Sequence, residues 1–306
     1  MDFNDAKNEI MRVLSKTERL HLPKLLDWLK TSDDLDDFLV DNQSVILQSI
    51  AEDLRVCLPL EGMAPSEMMA IQKTQQKPHP TVHVDAFLYD EEAVDLLCED
   101  GKMSRNYCLN CGSHKTAPLE FISHSFSIPE LQFLFHNVLP DLSGKLLVDV
   151  GSRLGAVLFG GYLYSAASQL LGVEISSEFV KLQTMAVEKY GFSDRIQVIH
   201  ADIRSQSALL QNADVLIMNN VFEYFMEPSD QMQTWLFISQ NFRKKGALLV
   251  TVPNIQETLA LLQDAVFLET VALSQWIEEV PLDYTVHLKN DTDPDSLKQI
   301  HLYRVL

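Results

Sequence analysis

The chain of 306 residues is long enough for one large domain and a smaller unit, and its 46% hydrophobic and 22% charged residues are those of an ordinary globular protein. A formal net charge of −19 argues against broad electrostatic binding to nucleic acid or to an anionic membrane, though not against a local basic patch. It suits solubility first and a Lys/Arg-rich partner second, and no apolar run reaches the roughly 20 residues of a membrane span.

The first residues, MDFNDAKNEIMRVL, are polar and acidic, which predicts neither a secretory signal nor a transit peptide. The four cysteines, Cys57, Cys98, Cys108 and Cys111, are therefore expected reduced, in cytoplasm or nucleus. Helical periodicity runs through the first sixty residues: Leu22, Leu25, Leu26 and Leu29, then Leu35, Phe38 and Leu39 after the acidic turn TSDD. This predicts a small helical unit over residues 1–61. Residues 62–80, rich in Gly, Pro, Gln and Lys, read as a linker or mobile loop. Residues 81–125 form a connecting segment holding the C-x-x-C pair Cys108 and Cys111. Buried reduced cysteines are the first reading of that segment. A zinc site of Cys98, Cys108, Cys111 and His114 is the second, weakened because only one tight pair is present. No metal is assigned.

A new region opens at Ser127, where Glu130 completes a capping box and Pro129 sits in the first turn, predicting a helix to about Asn137. From Leu146 apolar strands alternate with amphipathic helices: LLVDV (146–150), QLLGVEI (169–175), IQVIHADI (196–203), DVLIMNN (214–220) and ALLVTVP (247–253). Continuous apolar strands separated by helices predict a doubly wound α/β fold, its parallel sheet covered on both faces. YTVHL (284–288) and QIHLYRVL (299–306) are separated by a turn-rich stretch too short for a crossover helix, so they are predicted to pair antiparallel.

Ligands of such sheets lie at the carboxyl ends of the strands, where strand order reverses. The first strand runs there into VGSRLG. Gly151 permits a sharp bend and close backbone approach, and Gly155 lets the next helix pack on the strand. Polar residues close the next three strands as well. Glu174 is placed to accept from ribose hydroxyls, Asp202 and the Ile203 backbone to pair with an adenine, and Asn219 and Asn220 stand at the fourth strand end. The spacing G-x-x-x-G departs from the dinucleotide pattern. Asp149, ahead of the turn, disfavours a pyrophosphate and would hold the ammonium of an amino-acid moiety, directly or through water.

Together, VDVGSRLG, GVEIS, HADI, MNNVFEYF and the terminal strands resemble the class I S-adenosylmethionine-dependent methyltransferases over roughly residues 126–306. The resemblance implies a seven-stranded, mostly parallel sheet with an antiparallel last strand and S-adenosylmethionine along its carboxyl edge. It places cofactor binding on Asp149, Gly151, Ser152, Gly155, Glu174, Asp202, Ile203 and Asn219. Arg153 stands where the family commonly has glycine: pointing away it is tolerated, pointing in it obstructs. The family places substrate-facing residues after strand four. There Asn219 and Asn220 would orient an amine, Glu223 attract a cation or take its proton, and Phe222 and Tyr224 wall the site, although Phe222 and Phe225 also suit a core and Glu223 a helix start. His124 is within reach of the cofactor mouth or structural. A protein side-chain nitrogen is the first acceptor, a small-molecule amine the next, with nucleic acid disfavoured. A methyltransferase-like scaffold without turnover is the alternative that Arg153 keeps open.

Overall fold

The computed structural model describes residues 3–31, 33–112, 114–287 and 294–306, and divides into two compact units, Met1–Ile46 and Leu47–Leu306. The first unit is helical, as its periodicity predicts: α1 spans Phe3–Lys16, α2 Leu22–Thr31, and α3 (Asp33–Arg55) begins within it. The boundary falls inside α3 rather than at residue 61. The side chains of Leu35, Phe38 and Leu39 lie outside the described ones. No helix among the described residues is long and apolar enough to cross a membrane.

The second unit is built on seven strands, numbered here within the main sheet: β1 Leu146–Val150, β2 Gln169–Glu174, β3 Ile196–His200, β4 Val215–Asn219, β5 Leu248–Val252, β6 Ile277–Val280 and β7 His301–Val305. Their order is 3-2-1-4-5-7-6, and β7 alone runs antiparallel to its neighbours. The first five strands lie where the apolar runs place them. The central strands are buried on both faces: Leu147, Val148, Leu216, Ile217, Leu249 and Val250 are inaccessible to solvent. Order reverses beside β1, whose neighbours are β2 and β4, so the carboxyl ends of these strands frame a crevice.

The last antiparallel pair has a different partner from the one predicted. Tyr284–His287 is a 3₁₀ turn, Leu288 lies outside the described residues, and β7 pairs instead with β6. The IEEV of β6 reads polar because it is an edge strand whose Glu278 meets Arg304 at 3.3 Å across the ladder.

The expected linker also differs. Residues 65–67 form a 3₁₀ turn and Met68–Gln75 a helix, α4. The segment's anchors lie far away in sequence, so its own periodicity does not announce it. Lys73 Nζ donates to the carbonyls of Glu223 (3.1 Å) and Met226 (2.9 Å), and Ser66 Oγ to Glu178 (3.1 Å). Helix α5 spans Glu91–Glu99, and α6 begins at Ile128 under the predicted box: Ser127 N donates to Glu130 at 2.7 Å and Glu130 N to Ser127 Oγ at 3.3 Å. It passes at Leu134–Val138 into a π-turn. Helices α7 (Ala156–Tyr164) and α8 (Ser177–Tyr190) follow β1 and β2.

In the connecting segment Cys108 and Cys111 are exposed and Cys98 half-buried, all as free thiols, so the expectation of buried cysteines is corrected. No group of three or more His, Cys, Asp or Glu among the described residues could hold a metal ion.

Candidate active site

A cavity of ≈ 390 Å³ opens at the carboxyl rim. Its floor comes from four strand ends in turn: Val150 and Gly151, Val173 and Glu174, Ala201 to Ile203, and Asn219 with Asn220. The sheet topology thus brings together six of the residues predicted for the site. Ser66, Glu67 and Met69, ahead of and within α4, line it from the other side.

Gly151 is required by its backbone. Its φ of +65° is left-handed, and a Cβ would stand 2.9 Å from Val221 Cγ1. Glu174 is buried, with Oε2 accepting from Arg153 N (2.8 Å) and Oε1 from Ser176 N (2.7 Å). A carboxylate has about four lone-pair sites, so acceptor capacity remains toward the cavity. Burial pushes the Glu174 carboxyl up, and those two backbone donors oppose the shift. Asp202 is held ionised by Arg204, whose Nη2 donates at 2.7 Å and Nε at 3.0 Å. Asn220 occupies left-handed backbone (φ 50°), which asparagine tolerates better than most residues, and its Nδ2 donates to Asn219 Oδ1 at 3.0 Å.

Five predicted site residues do not line the cavity. Asp149 is buried, and burial and then Glu174 raise its carboxyl well above the usual range. Ser152 Oγ turns to Gln183 (2.8 Å), on the side where it closes against Gly172. Gly155 serves packing: a Cβ there would lie 2.9 Å from the Phe159 ring. Glu223 turns its carboxylate to Phe222 N (3.2 Å) and Thr258, and burial raises it. Tyr224 stands behind the wall against the His124 ring. Phe222 is both core and wall, set edge-on to Trp235 at 5.5 Å, and Phe225 is wall.

Arg153 resolves the question its position poses. Its backbone is left-handed (φ 44°), the conformation for which glycine is the common choice. Its side chain is buried, and the guanidinium reaches out of the glycine turn to the segment before α4. Nε donates to Glu67 at 2.7 Å, Nη1 to Asp85 at 2.5 Å, and Nη2 to the Gly62 carbonyl at 2.5 Å and Glu67 at 3.2 Å. The cation also lies 5.1 Å from the Phe179 ring centroid. Burial disfavours the charge; Asp85 and Glu67 outweigh it. Arg153 is therefore a strut fastening Gly62–Glu67 onto the turn: it lines the cavity, but its guanidinium is held by Glu67, Asp85 and the Gly62 carbonyl.

Ser66, Glu67 and Met69 reach the site without warning from sequence, whereas His124 stands where the sequence allows it, at the cofactor mouth. Met69 comes with α4. His124 lines the cavity and is 5% exposed, and neither of its ring nitrogens has a hydrogen-bond partner among the described residues.

The donor set suits S-adenosylmethionine: a glycine turn for backbone approach, a buried acid at the end of β2, an ionised acid after β3, and apolar walls. Residues 148–250 match the family described as "Methyltransferase domain". Similar solved structures include the O-methyltransferase from Bacillus cereus in complex with SAH (12% identity, 60% of this chain and 84% of that one, TM-score 0.43). A methyltransferase from Geobacter sulfurreducens is 15% identical over 60% of this chain and 79% of that one, with TM-score 0.38. An RNA methyltransferase from Salinibacter ruber is 15% identical over 52% and 78%, with TM-score 0.33. No curated protein matches the sequence.

Proposed function

We infer that this chain, which carries a class I S-adenosylmethionine-dependent methyltransferase domain, methylates a protein side-chain nitrogen presented beside β4. The observation that carries the reading is the convergence of Gly151, Glu174, Asp202, Ile203, Asn219 and Asn220 on one cavity at the switch point. In the proposed complex Glu174 accepts from the ribose hydroxyls, Asp202 and the Ile203 backbone hold the adenine, and Gly151 lets the main chain approach the amino-acid moiety. The cofactor supplies an electrophilic methyl group on a sulfonium. The chain supplies orientation and a water-poor wall of Val221, Phe222, Phe225 and Met226. Asn219 and Asn220 line the acceptor's approach.

The net charge of −19 supports a basic macromolecular acceptor, and the free thiols suit the reducing cytoplasm or nucleus. A small-molecule amine is the second reading, favoured by the cover that Ser66, Glu67 and Met69 put over the cavity. Calorimetric titration with S-adenosylmethionine and its demethylated product tests the cofactor reading. Micromolar binding supports it, and absence of binding to a folded sample returns the scaffold alternative. Labelled-methyl transfer to protein extracts, set against small-molecule fractions, then separates the acceptors.

A further inference from the structure

His124 is the least explained polar group in the second unit. It is a neutral ring: burial first, then the charges of His83, Arg153 and Lys77, hold it well below the ordinary imidazole value. Such a ring carries one donor and one acceptor, and here both are unpartnered among the described residues. A buried polar group without a partner is costly, so two on one cavity-lining ring point to a ligand that completes them.

The position of the ring narrows what that ligand is. His124 lies 4.8 Å from the Tyr224 ring centroid and 4.9 Å from that of Phe225, both just after β4. Glu174 and Asp202 belong to the β2 and β3 side of the rim, so His124 stands on the side left to the acceptor. Among the described residues, the carboxylates nearest this end are already engaged. Glu223 is turned to Phe222 N and Thr258, and Glu67 is bound by Arg153 and by Ala64 N at 2.8 Å. Lys77, 5.9 Å from the Tyr224 centroid, is paired with Glu120 at 3.2 Å, and Arg153 with Glu67 and Asp85, so these carboxylates already have their cations. An ammonium entering this end would lose its water with no anion to replace it.

We propose that His124 holds the methyl acceptor through its ring nitrogens, and that the accepting group is an uncharged side-chain imidazole rather than a Lys or Arg cation. This rests on the methyl-transfer reading and specifies its acceptor. The unprotonated ring nitrogen of His124 accepts the acceptor's N–H, which leaves the lone pair of the acceptor's other, unprotonated nitrogen directed at the methyl carbon. In the transfer that lone pair forms the new bond to carbon. The sulfur–carbon bond breaks with its pair left on sulfur, and the acceptor's proton passes to the His124 nitrogen and on to water.

The test uses the full chain with ¹⁵N-labelled histidine, saturated with S-adenosylhomocysteine. It is titrated with 4-methylimidazole and separately with n-butylammonium at about pH 8.5, where an imidazole is neutral and an alkylamine still charged. His124→Gln assigns the resonance. The expected result is a saturating shift of the His124 ring nitrogens with 4-methylimidazole and none with n-butylammonium. His124→Phe, which keeps the aromatic packing, is expected to weaken 4-methylimidazole binding about tenfold, the equivalent of one hydrogen bond of roughly 1.4 kcal/mol. An equal response to both probes, or to neither, in a chain that binds S-adenosylhomocysteine overturns the inference alone. Failure to bind S-adenosylhomocysteine overturns the methyl-transfer reading and the inference with it.

Discussion

Replacing Arg153 by methionine keeps most of the buried volume and removes the charge. Glu67 (6% exposed) and Asp85 (0%) would then be left as buried carboxylates without their cation, and the Gly62 carbonyl without its donor. Breaking a buried ion pair from one side costs about 3–5 kcal/mol, because the stranded charge stays desolvated. We expect Arg153→Met to destabilise the second unit by that amount. Arg153→Gly should cost about 1–2 kcal/mol less, since glycine relieves the left-handed backbone at φ 44°. Adding Glu67→Gln to Arg153→Met removes one stranded charge and should recover stability. The assay is urea unfolding at neutral pH, followed by the fluorescence of the buried Trp235 and Trp276. Cofactor affinity should fall in parallel, because Ser66, Glu67 and Met69 lose their attachment to the turn. A loss below about 1 kcal/mol, the value of an exposed pair, with no rescue by Glu67→Gln, would refute the strut.

Glu174→Ala should weaken S-adenosylmethionine binding about 10- to 100-fold by calorimetry, through the ribose contacts and the loss of the brace on Arg153 N; unchanged affinity in a folded variant would remove the ribose role. Glu223→Gln should leave methyl transfer within about twofold, because its carboxylate faces Phe222 N and Thr258, and a drop of a hundredfold would restore it as a proton acceptor. Gly172→Ala should destabilise by about 1–3 kcal/mol in the same urea assay, since its Cβ would fall 2.6 Å from Ser152 Oγ and 2.8 Å from Leu158. His83 and His124 both have folded values below the ordinary imidazole, so the unfolded chain binds the extra protons. Their contribution is complete above about pH 6.5 and is lost on acidification by up to about 1.4 kcal/mol per group per pH unit, a slope that thermal melts of His124→Phe should reduce.

Much of the site was legible because its signals are local. A continuous apolar run followed by a polar residue marks a strand end in any order of strands, so Glu174, Asp202, Asn219 and Asn220 could be placed on one rim before any contact was known. The Ser127–Glu130 box and the five parallel strands rest on the same short-range rules. Side-chain direction is not local. Asp149 and Glu223 adjoin the site in sequence, yet neither lines the cavity, and the Glu223 carboxylate faces Thr258. IEEV carries no strand signal, because an edge strand with solvated glutamates lacks the buried pattern. The β-branched YTVHL looked like one, yet its described part is a 3₁₀ turn.

By itself, then, the sequence determined the parallel core, the rim on which the cavity opens and the identity of the acids along it, since each follows from spacing within a few residues. Tertiary structure alone decided what Arg153 does, that Met68–Gln75 is a helix beside the cavity, and that His124, of its two readings, lines the wall, its ring nitrogens without hydrogen-bond partners among the described residues. Those outcomes join Arg153 to Glu67 and Asp85, Lys73 to Met226, and His124 to Tyr224. Such pairs lie scores of residues apart, and their energies exist only once the sheet has brought the segments together.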